Sequence, residues 1–520
     1  SSSINRLCKE ATNDVRECVN PLIMEESQIK KFYAGKSILL TGCTGYMGKS
    51  ILEKLLRTCT EIDKIYTVIR PKKMSVKERM DKYFTDIIFD KLREQNPNFM
   101  EHVVPIKGDL LESDLGISPE DRQILIENVN IVIHNAASVY FNEKFSVSLK
   151  VNALATKKVL ELATECHNMK AFMYVSTAYS HCYNKRIEEK FYPSPGNLKV
   201  IDDIIRADNE SPDGISDESR KMILGQWSNT YTYTKSMAEG FVEEFGKTSS
   251  FPCGVFRPSI VTATYKEPFP SWCGNKNGPV IIYIGLFLGI IHVLYLPRNP
   301  VLDVIPADMT SNALLAMIWD LANCRKPKEP AVYNYGSSSL NPLKLHDLQN
   351  SFAGMDQPSM KTVWPYFIII AQTKFTFWIY HFLFHFFPAI ILDLVLLARR
   401  KKPMALEIFW KFTTNMDTLI EFSNGNWLVD TFTMQEIWKR MNSIDREEFF
   451  YDIRRVNWFD YIWEYWNGVR LYVLKEPIES IPAAKKKYRK LQIIHYTVIT
   501  LFSLLIVYGI HRLTSYLYGS

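Results

Sequence analysis

Short apolar runs recur along the first two thirds of the chain, at 37–41, 65–69, 103–106, 131–134, 172–175 and 254–256. Between them lie segments with apolar positions at helical spacing, notably 76–93, 118–127 and 144–166. A four- or five-residue apolar run bounded by turn residues predicts a strand buried on both faces, and helical periodicity between such runs predicts crossover helices. The pattern defines an α/β fold, a Rossmann-type doubly wound parallel sheet. It changes after about residue 341. Residues 375–398 are dense in Phe, Leu and Ile and end in Arg399, Arg400, Lys401 and Lys402, which suits an interfacial helix, a re-entrant hairpin or a membrane span. Residues 409–473 mix aromatic and charged positions and predict a small, mainly helical unit. Finally a basic flank, 485–490, precedes the mostly apolar 491–510, the pattern of a transmembrane tail anchor with its bases on the cytosolic side. The expected division is an amino-terminal extension (1–34), a nucleotide-binding catalytic domain (35–345), a carboxy-terminal domain (346–480) and the anchor with its flank and short tail (485–520).

A chain of 520 residues can bury more than one ordinary core. The net charge of +6 is too small to make nucleic acid an expected partner. The nine cysteines include no CxxC pair, so neither a zinc site nor a disulfide framework is expected and a reducing compartment suits the chain. Residues 1–20 are polar where a secretion signal needs an apolar core. His381 and His385 share one helical face, yet no second histidine cluster and no HExxH motif accompany them, so no metal is expected.

Candidate chemistry begins at Thr41-Gly42-Cys43-Thr44-Gly45-Tyr46-Met47-Gly48, between a predicted strand and a predicted helix. In that context Gly42 allows a tight turn, Gly45 lets the backbone approach a pyrophosphate and Gly48 lets helix and strand pack closely. At the end of the second strand, where an acid would bind the ribose of NAD, stand Arg70, Lys72 and Lys73. Cations there suit the 2′-phosphate of NADP, although a solvated strand end has the same composition. Tyr231 and Lys235 lie one helical turn apart, so an ammonium beside the phenol is expected to lower its pKa and let Tyr231 act as a proton donor. Ser176 and Thr177 close a predicted strand and offer a hydroxyl to an oxyanion.

These motifs together resemble the extended short-chain dehydrogenases and, within them, the alcohol-forming fatty acyl-CoA reductases. The resemblance rests on TGCTGYMGKSILEKLL at 41–56, KGDL at 107–110, HNAASVYFNE at 134–143, VSTAYSHC at 175–182, NTYTYTKSMAE at 229–239, FRPSIV at 256–261 and YKEPFPSWCGNKNGP at 265–279. A recognisable carboxy-terminal domain over about 364–474 adds to it. The resemblance implies NADPH as cofactor, held by the glycine loop (Thr41, Gly42, Thr44, Gly45, Tyr46, Met47 and Gly48), by Arg70, by Asp109 and Leu110 at the adenine, by Asn135, Ala136 and Ala137 along the cofactor, and by Arg257, Pro258 and Ser259 over the nicotinamide. It implies Thr177, or else Ser176, as catalytic hydroxyl, Tyr231 as acid, Lys235 as its partner and ribose ligand, and Asn152 as support of a proton relay. The implied substrate is a long-chain or very-long-chain fatty acyl-CoA, reduced through an aldehyde to the alcohol of wax and ether lipid biosynthesis. The implied location is a membrane with the catalytic domain in the cytosol, the endoplasmic reticulum ahead of the peroxisome, with oligomerisation left open. The alternatives are another extended reductase of the sterol or hydroxysteroid dehydrogenase type, or a membrane scaffold with a non-catalytic nucleotide fold.

Overall fold

The computed structural model describes residues 26–71, 73–140, 143–274, 279–297, 300–353, 356–414 and 424–518. The stretch 1–20, Lys72, Phe141, Asn142 and 275–278 discussed above lie outside them. Seven strands form a parallel sheet: β1 (Ile38–Thr41), β2 (Ile65–Ile69), β3 (Val103–Lys107), β4 (Ile131–His134), β5 (Ala171–Val175), β6 (Cys253–Pro258) and β7 (Ala331–Tyr335). Their order is 3-2-1-4-5-6-7. Ile38 sits in register between Ile65 and Ile131, so β1 is flanked by β2 and β4. The chain runs outward from β1 to β3 and returns to β4 on the other side. That reversal opens a crevice at the carboxyl ends of β1 and β4, where open α/β sheets take their ligands.

Side chains alternate across each strand and supply two apolar layers. Leu39, Val132, Phe172 and Val255 pack with the helices Ala155–Glu165 and Thr230–Gly246 on one face. Ile38, Leu40, Ile133, Met173 and Phe256 pack with the helices Tyr46–Thr58 and Ala307–Cys324 on the other. The aromatic carboxy-terminal stretch joins this second layer rather than forming a core of its own. Met434, Ile437, Tyr461, Tyr465 and Trp466 belong to the same buried cluster as Ile38 and Ile51. Trp466 stacks on Phe287 at 3.9 Å, and the Tyr461 hydroxyl donates to the Ala263 carbonyl at 2.7 Å. A short helix, Gln28–Tyr33, straps the same region. The Ser27 hydroxyl donates to Asp445 at 2.6 Å, and the N–H groups of Gln28 and Ile29 donate to the same carboxylate.

Two predicted helices differ from their patterns. Residues 76–93 break into Val76–Tyr83 and Asp90–Gln95, because Asp86 caps a new turn by accepting from the Ile88 N–H. Residues 145–165 remain helical but widen to a π-turn over Leu149–Leu154. The apolar segment 375–398 is a helix from Lys374 to Ala398 with a π-turn at Phe382–Phe386. It folds back: the Asp393 carboxylate accepts from the N–H groups of Met404, Ala405 and Leu406, capping the return helix Ala405–Thr414. The last helix, Ile481–Tyr518, contains the predicted anchor. Lys374–Ala398 and Ile478–Leu517 are both long and apolar enough to cross a membrane, and nothing in the most apolar stretch of the second is buried.

Candidate active site

The glycine loop follows β1 directly. Gly42 has φ +71°, and a Cβ there would lie 2.6 Å from Ala136 Cα, so this turn admits glycine only. A Cβ on Gly48 would meet the Gly42 carbonyl oxygen at 2.2 Å, which fixes how tightly the helix Tyr46–Thr58 packs on the loop. Gly45 is that helix's N-cap, with no side chain capping its first N–H groups, and Thr44 and Gly45 are exposed. This is an anion cradle at a helix N-terminus. Tyr46 and Met47 turn inward: the Tyr46 ring stacks on Trp272 at 4.8 Å and its hydroxyl donates to the Thr262 carbonyl at 2.8 Å, while Met47 packs on the core. What these two residues can offer to the cradle is therefore their backbone.

The floor of the crevice is a chain of hydrogen bonds. Thr41 Oγ1 accepts from the Ala136 N–H at 3.2 Å and lies 2.7 Å from His134 Nδ1, whose Nε2 lies 3.1 Å from Thr156 Oγ1. Thr156 in turn donates to the Asn152 carbonyl, an order of donors consistent with a neutral His134 carrying its proton on Nε2. Burial, seconded by the Lys235 ammonium, pushes His134 down to about 3. The Asn135 amide donates to the Gly42 carbonyl at 3.3 Å, and Ala137 follows on the half-buried loop. Asn152, on the π-turn, accepts from the Ser138 N–H at 2.8 Å and donates to the Ser138 carbonyl and to Thr234 Oγ1 at 2.9 Å. Its side chain ties this loop to the helix of Tyr231, and the wider turn lets it reach both.

Thr177 and Tyr231 meet across the crevice, hydroxyl to hydroxyl. Thr177 leaves β5 in extended conformation, and its Oγ1 accepts from the Tyr179 N–H. Burial raises the Tyr231 pKa and the Thr177 bond only partly opposes it, which overturns the expected lowering by Lys235. The ammonium is engaged elsewhere: Nζ donates to the Val175 carbonyl at 2.7 Å, sits 4.7 Å from the Tyr174 ring centre and 6.0 Å from that of Tyr231. Burial drives Lys235 down to about 7 against the pull of Glu239. A phenol that stays protonated at neutral pH remains a donor, so Tyr231 keeps the chemical capacity expected of it.

Ser176 and Arg257 are separate from this group. The Ser176 hydroxyl donates to Glu239 at 2.5 Å, and so does Ser180 at 2.7 Å. His181 Nε2 lies 3.0 Å from the same carboxylate, and Arg257 forks onto it at 3.0 and 2.5 Å. The remaining Arg257 nitrogen donates to the carbonyls of Glu188 and Lys190. Burial pushes Glu239 upward, but Arg257 and His181 outweigh it and hold the carboxyl well below its usual range. With every oxygen of Glu239 committed to protein donors, Ser176 is turned away from Tyr231, and Thr177 is the hydroxyl the geometry offers to a substrate. Next to Arg257, the buried Ser259 hydroxyl has no partner among the described residues, and Pro258 ends β6 beside it. An orphaned hydroxyl at this strand end suits a bound polar group.

At the adenosine end, Arg70 leaves β2 exposed, with Nε 3.9 Å from Asp109, and Asp109 accepts from the Leu111 N–H while Leu110 is half-buried. Arg79, from the helix Val76–Tyr83, donates to the Arg70 carbonyl and lies close enough to the glycine loop to influence Cys43. Sequence reading missed both Arg79 and Glu239. Arg79 occupies an unremarkable charged position of an exposed helix, although Glu239 carries a usable signal, a lone acid on the inner face one turn after Lys235.

The sheet order and the glycine cradle define a Rossmann-type dinucleotide-binding fold. Residues 40–314 match the NAD-binding family described as male sterility protein, and residues 384–476 match a second family of that description. Fatty acyl-CoA reductase 1 of Rattus norvegicus is 34% identical over 487 residues, covering 92% of each chain. Fatty acyl-CoA reductase wat of Drosophila melanogaster is 34% identical over 498 residues and 94% of each chain. The chain belongs to the fatty acyl-CoA reductase family. Among solved structures, the terminal R domain from the myxalamid PKS-NRPS pathway superposes with TM-score 0.55 at 19% identity, over 85% of this chain and 93% of that one. The reductase domain of a nonribosomal peptide synthetase from Mycobacterium tuberculosis gives 0.54 at 17%, over 86% and 97%. At that identity the likeness establishes the fold.

Proposed function

We propose that this protein reduces long-chain fatty acyl-CoA to fatty alcohol with NADPH, two equivalents per CoA released, while anchored to a membrane by its tail helix. The observation that carries the reading is the Thr177–Tyr231 contact, with Lys235 beneath it, two strands along the sheet from the glycine cradle. The cradle, the orphaned Ser259 hydroxyl and Arg70, whose carbonyl accepts from the Arg79 guanidinium, fit a dinucleotide, and two arginines at the ribose end suit a 2′-phosphate. When bound there, NADPH supplies the hydride. The Thr177 and Tyr231 hydroxyls donate to the thioester carbonyl oxygen and stabilise the negative charge it gains. Collapse of the resulting hemithioacetal expels CoA thiolate and leaves an aldehyde. In the second reduction Tyr231 transfers its proton to the new alkoxide and the Thr177 hydrogen bond supports the phenolate left behind, while the Lys235 ammonium holds the end of β5 through the Val175 carbonyl. Asn152 holds the loop that borders the cofactor. In this reading 35–345 hold the cofactor and the reacting carbonyl, and 346–480 form the carboxy-terminal domain with its apolar membrane-associated segment 375–398.

The Thr177–Tyr231 contact beside the glycine cradle speaks against a non-catalytic scaffold. The protein is attached to the endoplasmic reticulum with its catalytic body in the cytosol, and the peroxisome is the alternative that fluorescence colocalisation decides. Incubation of the full-length, membrane-reconstituted chain with NADPH and a series of acyl-CoA esters tests the reaction. The expected result is an NADPH to CoA ratio of about two, with alcohol from long acyl chains, because each buried methylene adds roughly 0.8 kcal/mol to retention of the aldehyde. A ratio of one with accumulating aldehyde overturns the alcohol-forming assignment.

A further inference from the structure

The helix Lys374–Ala398 has 25 residues, about 38 Å at ~1.5 Å per residue, enough to cross a hydrocarbon core of ~30 Å. Both of its flanks nevertheless belong to the catalytic body. Before it, Ile369–Ala371 pairs in parallel with Val293–Tyr295. After its return helix, Leu428–Val429 pairs with Arg186–Ile187. The return helix is back against the outgoing one at Thr413, whose hydroxyl lies 2.9 Å from His381 Nε2. His381 Nδ1 lies 2.8 Å from His385 Nδ1, and the His292 N–H donates to His385 Nε2 at 2.8 Å. This buried line of imidazoles pins the middle of the hairpin to the segment that precedes Val293. What projects beyond it is the helix Phe387–Ala398, 12 residues or about 18 Å, with its return helix alongside.

The turn at the far end carries Arg399, Arg400, Lys401 and Lys402, all exposed. A projection of about 18 Å pushed straight into a core of ~30 Å would strand those four cations in hydrocarbon, which membrane segments avoid. Laid along the surface, the same hairpin meets both halves of its chemistry. Phe387, Ile391 and Leu394, at helical spacing and 53%, 62% and 60% exposed, enter the acyl layer, while the cations stay with the headgroups. We infer that residues 374–414 form a monotopic hairpin, entering and leaving the leaflet on the side of the catalytic body, with Arg399, Arg400, Lys401 and Lys402 recognising anionic lipid headgroups. It is a second membrane attachment besides the tail helix, and it stands independently of the reaction proposed above.

The test uses the full-length chain in sealed vesicles, catalytic body outward, of phosphatidylcholine with and without phosphatidylserine. Arg400→Cys is exposed to a membrane-impermeant maleimide polymer and scored by gel shift over the parent chain. Leu394→Cys carries an environment-sensitive fluorophore and is scored by quenching from nitroxide-labelled lipid. Labelling at 400 in intact vesicles to the same extent as in detergent, and quenching at 394 about threefold stronger with phosphatidylserine, are expected. Changing all four bases to Gln in the 394 variant should remove that threefold difference. Protection of position 400 until the vesicles are opened overturns the proposal in favour of a span. Absence of quenching at 394 overturns it in favour of a protein cover such as a second copy. Quenching that ignores phosphatidylserine removes the anionic-lipid recognition.

Discussion

Two neighbouring hydroxyls at the end of β5 have opposite surroundings. Thr177 meets Tyr231 at a half-buried crevice, whereas Ser176 is locked into a closed cluster of Glu239, His181, Ser180 and Arg257. Both clusters hang from one helix, Thr230–Gly246, which presents Tyr231 and Lys235 to one and Glu239 to the other. The difference shows how a reactive group is placed: the closed cluster holds the strand end rigid, so that the next residue along can be presented at a fixed angle. Substitutions in the closed cluster should therefore be felt first in stability, and those in the crevice first in turnover.

The largest effect expected is that of Glu239→Gln. It leaves the Arg257 guanidinium buried with a neutral partner, and breaking a buried pair in this way costs about 3–5 kcal/mol, measurable as a lowered urea midpoint. An unchanged midpoint would break the comparison. Tyr231→Phe is the converse: turnover should fall at least roughly a hundredfold, the low end for a lost general acid, while the melting temperature and NADPH binding by fluorescence stay as they were. Arg70→Ala or Arg79→Ala should raise the KM for NADPH about tenfold and leave that for NADH little altered, since an arginine paired to a 2′-phosphate contributes on the order of 1.5–3 kcal/mol. Equal effects on both cofactors would remove the 2′-phosphate role. The pH dependence follows from Lys235, which is cationic below its depressed value of about 7 and neutral above it. Activity that needs the ammonium should thus decline as pH rises through about 7, in a kcat/KM profile, and Glu239→Gln should carry that decline to lower pH by withdrawing a charge that favours the cation. Smallest of all, Ser176→Ala should change turnover by less than about threefold, because it loses a bond to a carboxylate that keeps other donors.

Much of this architecture is legible in the chain because buried parallel strands write themselves as apolar runs. The runs at 65–69 and 131–134 coincide with β2 and β4, and those at 103–106, 172–175 and 254–256 fall within β3, β5 and β6. The edge strand β7 escapes, since Asn334 and the tyrosines of Ala331–Tyr335 break the apolar pattern. Asn334 is in place for a tertiary reason, donating to the carbonyls of Ile187 and Asp430. The glycine cradle is legible because only glycine satisfies its geometry. The proton affinity of Tyr231 is not, because spacing places Lys235 nearby without showing that its ammonium turns to Val175. In the same way, adjacency cannot tell Ser176 from Thr177: the choice is made by Glu239, a residue 63 positions away from Ser176 in sequence.

The strap at Ser27 has a consequence in time. Its hydrogen bond to Asp445 joins residues 418 positions apart. At a synthesis rate of about 5–20 residues per second, the partner emerges roughly 20–80 s after the strap itself. Through that interval the sheet can assemble strand by strand, yet the face of Ile38 and Ile51 lacks its aromatic cover. The newborn chain thus carries an exposed apolar wall until Asp445 and the aromatic segment around it have been made, and the helix Ile481–Tyr518 follows soon after. A chaperone that shields apolar surface would have to serve both, and ribosome-bound chains halted just before residue 445 should be markedly more sensitive to protease than the released protein.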